Sequence, residues 1–496
     1  MSDPLEEAEL HAWLAAGADQ VIETACAHVF LGPLTAFKMK RHKDLGYVDF
    51  STPERRLWAL ERELAFNRVA APDIYRAVRR ITREADGSLA LEAGGPVVDH
   101  VLEMRRFDEG AVLAADPDVI DGALADLLGR TIAGFHAEAP LRPGAGWRAM
   151  EFTVNSNANL LRELDDKLDA GRVESLIALT GEALAANRDL LEARGQAGFS
   201  RRCHGDLHLA NILLEAGRPV LFDCIEFSDV LSDLDVQYDL AFLLMDLDFR
   251  GRRDAGVRVL SAYLDAAARR FPTSLWDGLA ALPLMLSVRA GVRAHVCAHG
   301  GDLDTARAYV ETAIAHLSPA APVLAAVGGL SGTGKSSFAR AIAPGLGRSP
   351  GAVILRTDEV RKRLLGVAPD AQLAADAYGR ETTLRTYDAL IDEARAVLAA
   401  GQAVVLDATF IDPELRHRAE VLAAACGLPF HGVWLETAPE ILRGRIADRT
   451  GDASDATLAT LEDQLARDAG PMSWSRLEAS GPTDILARNW IADRTP

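Results

Sequence analysis

Cys203-His204-Gly205-Asp206-Leu207-His208-Leu209-Ala210-Asn211-Ile212-Leu213-Leu214, a short turn, and then Val220-Leu221-Phe222-Asp223 form the stretch on which the reading of this chain depends. It sets out a carboxylate (Asp206), an amide five residues later (Asn211) and a second carboxylate closing an apolar strand (Asp223). Phosphoryl transfer from ATP needs such parts: a base for a hydroxyl proton and oxygen donors for Mg²⁺ on the nucleotide phosphates. The Asp-to-Asn interval of five equals that of a kinase catalytic loop. A polar loop between two buried strands would explain one of these groups, but poorly explains three.

With those residues in view, His204-Gly205-Asp206-Leu207-His208, Asn211 and Phe222-Asp223 resemble the signature of the aminoglycoside phosphotransferase-like kinases, small-molecule relatives of protein kinases. In their pattern the second position is Gly rather than Arg, and the metal-binding Asp is not followed by Phe-Gly. Here Cys224-Ile225-Glu226 follows it. The resemblance implies a bilobal, protein-kinase-like domain with Asp206 as catalytic base and Asn211 and Asp223 on the metal.

Upstream, Leu5, Leu10, Trp13, Leu14, Val21 and Ile22 recur at helical spacing and predict a lead-in helix over 5–25. His28 to Leu31, the turn Gly32-Pro33, and Thr35 to Lys40 predict a hairpin able to cover a nucleotide, without a Gly-x-Gly-x-x-Gly. Lysine is scarce, six in the chain, and Lys38 follows an apolar pair on the second strand, where kinases place the ammonium that binds the α and β phosphates. Lys40 and Lys43 lie close by; the match to the family's Phe-Lys position favours Lys38. Ser51-Thr52-Pro53-Glu54 starts a helix. Periodicity leaves Glu61 and Glu63 equally placed beside its leucine stripe, and the resemblance implies that Glu63 is the partner of Lys38. Three strands over 74–107 and helical patterns over 116–199 complete a small sheet lobe (about 26–107) and a helical lobe (about 108–316). Asp239 in Asp239-Leu240-Ala241 resembles a family element that braces the loop, and Arg289 and Arg293, on an apolar helix, need partners if buried.

A Pro/Ala-rich segment, 317–322, is the expected linker. After it, the apolar run Val323 to Val327 leads into Gly329-Leu330-Ser331-Gly332-Thr333-Gly334-Lys335-Ser336, and Ser337 to Ile342 reads as a helix. This is Gly-x-x-x-x-Gly-Lys-Ser in the strand, loop and helix setting of a P-loop. Backbone N–H groups close around phosphates, Lys335 reaches the β and γ phosphates, and Ser336 meets Mg²⁺. Alternating strands and helices over 323–496 predict a parallel sheet covered on both faces, with ligands at the strand C-terminal ends. There Asp358 is placed as base for an acceptor hydroxyl, Arg361 to hold an anionic group, and Asp407 to orient metal-bound water or the acceptor. Arg443, Arg445 and Arg449 read either as a lid that neutralises the transferred group or as a solvated helix face. Asp358 has the alternative of capping the next helix. This half is similar to small P-loop kinases of the gluconate kinase, chloramphenicol phosphotransferase and polynucleotide 5′-kinase kind. The order of the two halves resembles bifunctional proteins that join an aminoglycoside phosphotransferase-like domain to a P-loop domain.

Composition narrows the class. With 496 residues, 49% hydrophobic and 25% charged, the chain is globular and long enough for two or three cores. An acidic N-terminus and a longest apolar run broken by Pro283 predict a soluble cytoplasmic protein without a membrane partner. Five scattered cysteines without a Cys-x-x-Cys pair suggest no disulfide framework. Of the net charge of −19, residues 320–496 carry −4 and residues 1–319 carry −15. That balance favours cationic small molecules over a nucleic acid backbone at the first half. Fold and motifs together predict α+β and α/β domains in tandem, each moving the γ-phosphoryl of Mg·ATP to a small-molecule hydroxyl. Two alternatives are a regulatory nucleotide-sensing role for one half and a nucleic acid end kinase in the second.

Overall fold

Consecutive residues of a strand point to opposite faces of its sheet, and Val101 and Leu102 show what this does to the N-terminal part. Val101 joins Phe30, Met39 and Ile81 under Leu10 and Leu14 of the helix Pro4–Ala15. Leu102 joins Leu60, Ile74, Tyr75 and Leu213 on the other face. At roughly 1.5–3 kcal/mol per buried large apolar side chain, these two clusters hold the sheet between a helix on either side. The computed structural model describes residues 4–24, 26–44, 48–447 and 457–494. Its first sheet has six antiparallel strands in the order Gln20–Glu23, Ala27–Leu31, Thr35–Lys40, Val97–Arg105, Tyr75–Arg83, Leu89–Leu91. The lead-in helix stops at Ala15, and Val21 and Ile22 lie on the edge strand instead. Their apolar spacing fits either periodicity, and the ladder with Ala27–Leu31 decides it. The helix Pro53–Ala70 begins as expected, with Pro53 in the first turn and the Thr52 hydroxyl accepting from the Arg55 N–H.

The chain separates into two compact units, one of residues 1–119 and 201–234, the other of 120–200 and 235–496. The first unit therefore combines the six-stranded sheet with the stretch around Asp206, whose hairpin pairs Ile212–Glu215 with Arg218–Leu221.

The second unit holds the helical residues and the P-loop region together. Its sheet has five parallel strands in the order Val353–Arg356, Val404–Asp407, Leu324–Gly329, Phe430–Glu436, Ser475–Glu478. The fifth strand carries Ser, Arg and Glu, and its sequence gives no apolar run to announce it. One core cluster contains Phe338, Ile342, Val405, Val433 and Trp490 from the P-loop region, and also Val257 from the helix Arg253–Ala267. Arg253 Nε donates to the Pro350 carbonyl at 2.9 Å, and Arg348 Nη2 to that of Leu279 at 2.7 Å. The segment 317–322 thus lies inside this unit. Asp239, on the helix Val236–Phe249, is fully buried: it meets His136 Nε2 at 3.0 Å and lies 3.8 Å from Arg289 Nη2. The Arg289 guanidinium also stacks on Tyr238. Arg293 lies over the Tyr309 ring at 5.9 Å. The segment Thr273–His299 holds an 18-residue window with the length and apolarity of a membrane span, and 78% of that window is buried within the protein, as in a core helix.

Candidate functional sites

In the first unit, strand periodicity puts Lys38 and Lys40 on one face of Thr35–Lys40, toward the helix Pro53–Ala70. Glu63, with no exposed surface, lies between them: Lys38 Nζ is 2.6 Å from Oε1 and Lys40 Nζ is 2.7 Å from Oε2. Lys38 also reaches Asp223 Oδ1 at 2.8 Å, and Lys40 reaches Glu226 Oε1 at 2.6 Å. The result is a line of alternating charge, Asp223, Lys38, Glu63, Lys40, Glu226. Burial opposes the charge on Glu63, but the two ammonium groups prevail and bring its pKa to about 2. Burial likewise opposes the Lys38 ammonium, and Asp223 and Glu63 overcome it, so its pKa stands well above the ordinary value. Glu226 is pushed up, first by burial and also by the Glu63 charge.

Asp223 sits in a strained turn, a non-glycine residue at φ 61°. Three groups hold that turn. The Tyr75 hydroxyl accepts from the Asp223 N–H at 3.0 Å, Asn67 Oδ1 accepts from the Cys224 N–H at 2.8 Å, and the Asn211 carbonyl accepts from the Phe222 N–H at 3.1 Å. Asn211 Nδ2 donates to Asp206 Oδ2 at 2.8 Å and to the Asp206 carbonyl at 2.9 Å. His204, fully buried, donates from Nε2 to the Phe222 carbonyl at 2.8 Å, tying the loop of Asp206 to the turn of Asp223. Gly205 makes the approach possible. It has φ +85°, and a Cβ there would lie 2.7 Å from the Leu231 carbonyl. The structure thus connects Lys38, Glu63 and Asp223 by side chains, and Asp206 to Asn211. It separates Glu63 from Glu61, which is exposed. Sequence reading missed Lys40 and Glu226; the available signal was the two-residue spacing of Lys38 and Lys40, which places both on one strand face.

In the second unit the loop after Leu324–Gly329 borders a cavity of about 520 Å³ lined by Ser331, Gly332, Gly334, Lys335, Ser336 and Ser337, together with Asp358, Arg361, Asp407 and Arg445. The helix Lys335–Ile342 starts from Gly334 at φ +88°, and Gly329 has φ +140°, where a Cβ would be 2.7 Å from the Leu435 carbonyl. Lys335 Nζ and the Thr333 hydroxyl both donate to the Leu330 carbonyl, at 2.9 and 2.8 Å. The Ser331 N–H donates to Gln464 at 2.8 Å. Ser336 Oγ donates to Asp407 Oδ2 at 2.6 Å. Arg356, which the sequence reading left unused, closes this pair into a ring: Nε is 3.1 Å from Asp407 Oδ2, Nη2 is 3.2 Å from Ser336 Oγ, and Nη1 is 3.1 Å from Glu359. Its position two residues before Asp358, at the end of a buried strand, was the signal.

Asp358 lies in the first turn of the helix Thr357–Leu364. Burial raises its pKa, and the Asp407 charge adds to this against Arg356 and Arg361. Arg361 is buried; Nη1 donates to the Ala377 carbonyl at 2.9 Å and to Thr383 at 3.3 Å, and its guanidinium lies over Tyr378. Among the described residues, Nε of Arg361 has no hydrogen-bond partner. Arg445 donates to the Gly332 carbonyl at 3.2 Å and to that of Ala479 at 3.0 Å, so it touches the loop directly. Arg443 instead pairs with Glu462 at the surface, and Arg449 lies outside the described residues.

Comparison with known proteins places these sites in context. Residues 48–282 match the model of the phosphotransferase enzyme family, and residues 324–471 match that of an AAA domain. An uncharacterized protein of Mycobacterium tuberculosis (strain H37Rv) is 32% identical over 482 residues, covering 94% of this chain and 93% of the relative. Among solved structures, a choline kinase from Cryptosporidium parvum Iowa II is similar over 63% of this chain and 94% of its own, at 11% identity and TM-score 0.38. A gluconokinase from Sinorhizobium meliloti 1021 is similar over 34% of this chain and 90% of its own, at 23% identity and TM-score 0.25.

Proposed function

Because the chain belongs to the family of kinases that join a phosphotransferase-family domain to a P-loop domain, we propose that it uses ATP at two separate sites, each passing the γ-phosphoryl to a hydroxyl of a small molecule in the cytoplasm. The observation that carries this reading is that Lys38 lies between Glu63 and Asp223, at 2.6 and 2.8 Å, while His204 ties the turn of Asp223 to the loop of Asp206. Glu63 aims Lys38 at the α and β phosphates, and Asp206 accepts the acceptor's proton. In the second site the N–H groups of Gly329 to Ser337 surround the phosphates, with Leu330, Ser331, Gly332 and Thr333 shaping the loop. Lys335 meets the β and γ oxygens, and Arg445 covers the transferred group. Asp358 serves as base there, and Arg361 offers its unpartnered Nε to an anionic acceptor.

The donor sets fit magnesium. Asn211 and Asp223 in the first site, and Ser336 and Asp407 in the second, present the hard oxygen ligands that Mg²⁺ takes, and Ser336 and Asp407 already converge at 2.6 Å. Bound there, the ion neutralises phosphate charge. The acidity of residues 1–319 favours a cationic acceptor, such as an amino sugar, at the first site.

Phosphate transfer from labelled ATP to amino sugars, polyols and nucleosides tests the reading. Lys335→Ala is expected to silence the second site and leave the first, whose remaining transfer is expected to vanish when Asp206→Ala is added. Transfer that survives the double substitution refutes the assignment.

A further inference from the structure

At the edge of the N-terminal sheet lies a group of side chains that neither proposed site uses. Glu23 and His28 face each other in the antiparallel ladder, so their side chains leave the same face. His11, on the helix Pro4–Ala15, meets the His28 ring edge to face with centroids 4.9 Å apart. One ligand atom from each of His11, Glu23 and His28 lies within 4.8 Å of the other two.

Two features distinguish this group from ordinary packing. His28 is only 7% exposed, and its Nδ1, like His11 Nε2, is buried without a hydrogen-bond partner among the described residues. A buried nitrogen left unpaired carries a desolvation cost that a ligand would recover. In addition, the other His28 nitrogen, Nε2, lies 3.5 Å from Glu7 Oε1. That carboxylate also accepts from the His42 N–H at 3.2 Å and is thereby fixed in place. A carboxylate facing Nε2 favours the proton there and leaves the lone pair on Nδ1, which lies 4.0 Å from Glu23 Oε1. Metal-binding histidines are oriented in this way, by a carboxylate on the nitrogen that does not bind the ion.

We propose that His11, Glu23 and His28 form a binding site for a divalent first-row transition-metal cation, with Glu7 as the positioning residue. Two imidazoles and one carboxylate suit Zn²⁺ and leave a fourth position for water. Bonds of about 2.0–2.2 Å require the three donors to draw closer. Glu23, 63% exposed at its side chain, can turn inward to do so, whereas His11 and His28 are held by their elements. The ion would pin the helix Pro4–Ala15 to the sheet at the strand pair that now ends in an exposed edge.

The test uses the full chain, stripped with EDTA and free of nucleotide, titrated with Zn²⁺ against a chromophoric chelator, with bound metal counted by mass spectrometry. One tight equivalent is expected, together with a higher melting temperature. His11→Gln, His28→Gln and Glu23→Gln are each expected to weaken binding about 100-fold or more, and Glu7→Gln about 10–100-fold with the stoichiometry kept. Glu23 is exposed, so its variant keeps the test decisive even if a histidine variant fails to fold. Absence of a tight equivalent in the wild type overturns the proposal, as does wild-type affinity in Glu23→Gln or in a folded histidine variant.

Discussion

Replacing Glu63 by Gln keeps the side chain's shape and removes the charge that two buried ammonium groups share. The pKa of Glu63 falls from an ordinary 4.5 to about 2 in the folded protein, which corresponds to about 3 kcal/mol of stability. Because the folded pKa is depressed, this contribution is complete above pH 4.5 and is lost as pH falls toward 2. Removing one partner of a buried ion pair costs about 3–5 kcal/mol, so Glu63→Gln is expected to loosen the helix Pro53–Ala70 and the strand Thr35–Lys40 by a similar amount. Hydrogen exchange read by mass spectrometry on peptides from those two elements measures it locally: about 3 kcal/mol appears as roughly 150-fold faster exchange at pH 7. Phosphate transfer at the first site is expected to fall with it, since Lys38 loses its guide. Protection within about 3-fold of the wild type would show that Lys38–Asp223 and Lys40–Glu226 suffice alone, and would refute the account of Glu63 as the centre of the charge line.

Two further outcomes follow from particular positions. Gly205→Ala sets a Cβ 2.7 Å from the Leu231 carbonyl at φ +85°; a loss of about 1–3 kcal/mol is expected in thermal melts, with phosphate transfer falling because Asp206 is displaced. Burial raises the Glu359 carboxyl to about 7, with Asp265 and Asp126 reinforcing it against Arg356. Its folded pKa is raised, so stability declines as pH rises from about 4.5 through 7, and Glu359→Gln is expected to flatten melting temperature over that range; an unchanged slope refutes this.

The kinase reading was legible because spacing carries it. Asp206, Asn211 and Asp223 announce themselves in one short stretch, and Gly329 to Ser336 in another, since each motif is local in sequence and its backbone demands are met by glycines at fixed offsets. What could not be read locally depends on long-range pairing. Val21 and Ile22 fit helix and strand alike until Ala27–Leu31 pairs with them. Glu61 and Glu63 differ only in which one meets a strand more than twenty residues away. Glu226 and Arg356 carry no motif of their own: one is found by following Lys40, the other by asking what neutralises Asp407. The strand Ser475–Glu478 is polar and lies at a sheet edge, where apolar periodicity is weakest.

The helix Arg253–Ala267 lends Val257 to the core behind the P-loop strands. Gly256 comes so near Pro350 that even a methyl group would sit 3.2 Å from it. A scissile cut at 317–322 would therefore not yield two finished proteins: the C-terminal fragment would bare the face that Val257 fills, an invitation to aggregate. Dissection by truncation would then confuse a lost activity with a lost surface, and silent single-residue knockouts in the intact polypeptide are the appropriate genetics for assigning each reaction to its half.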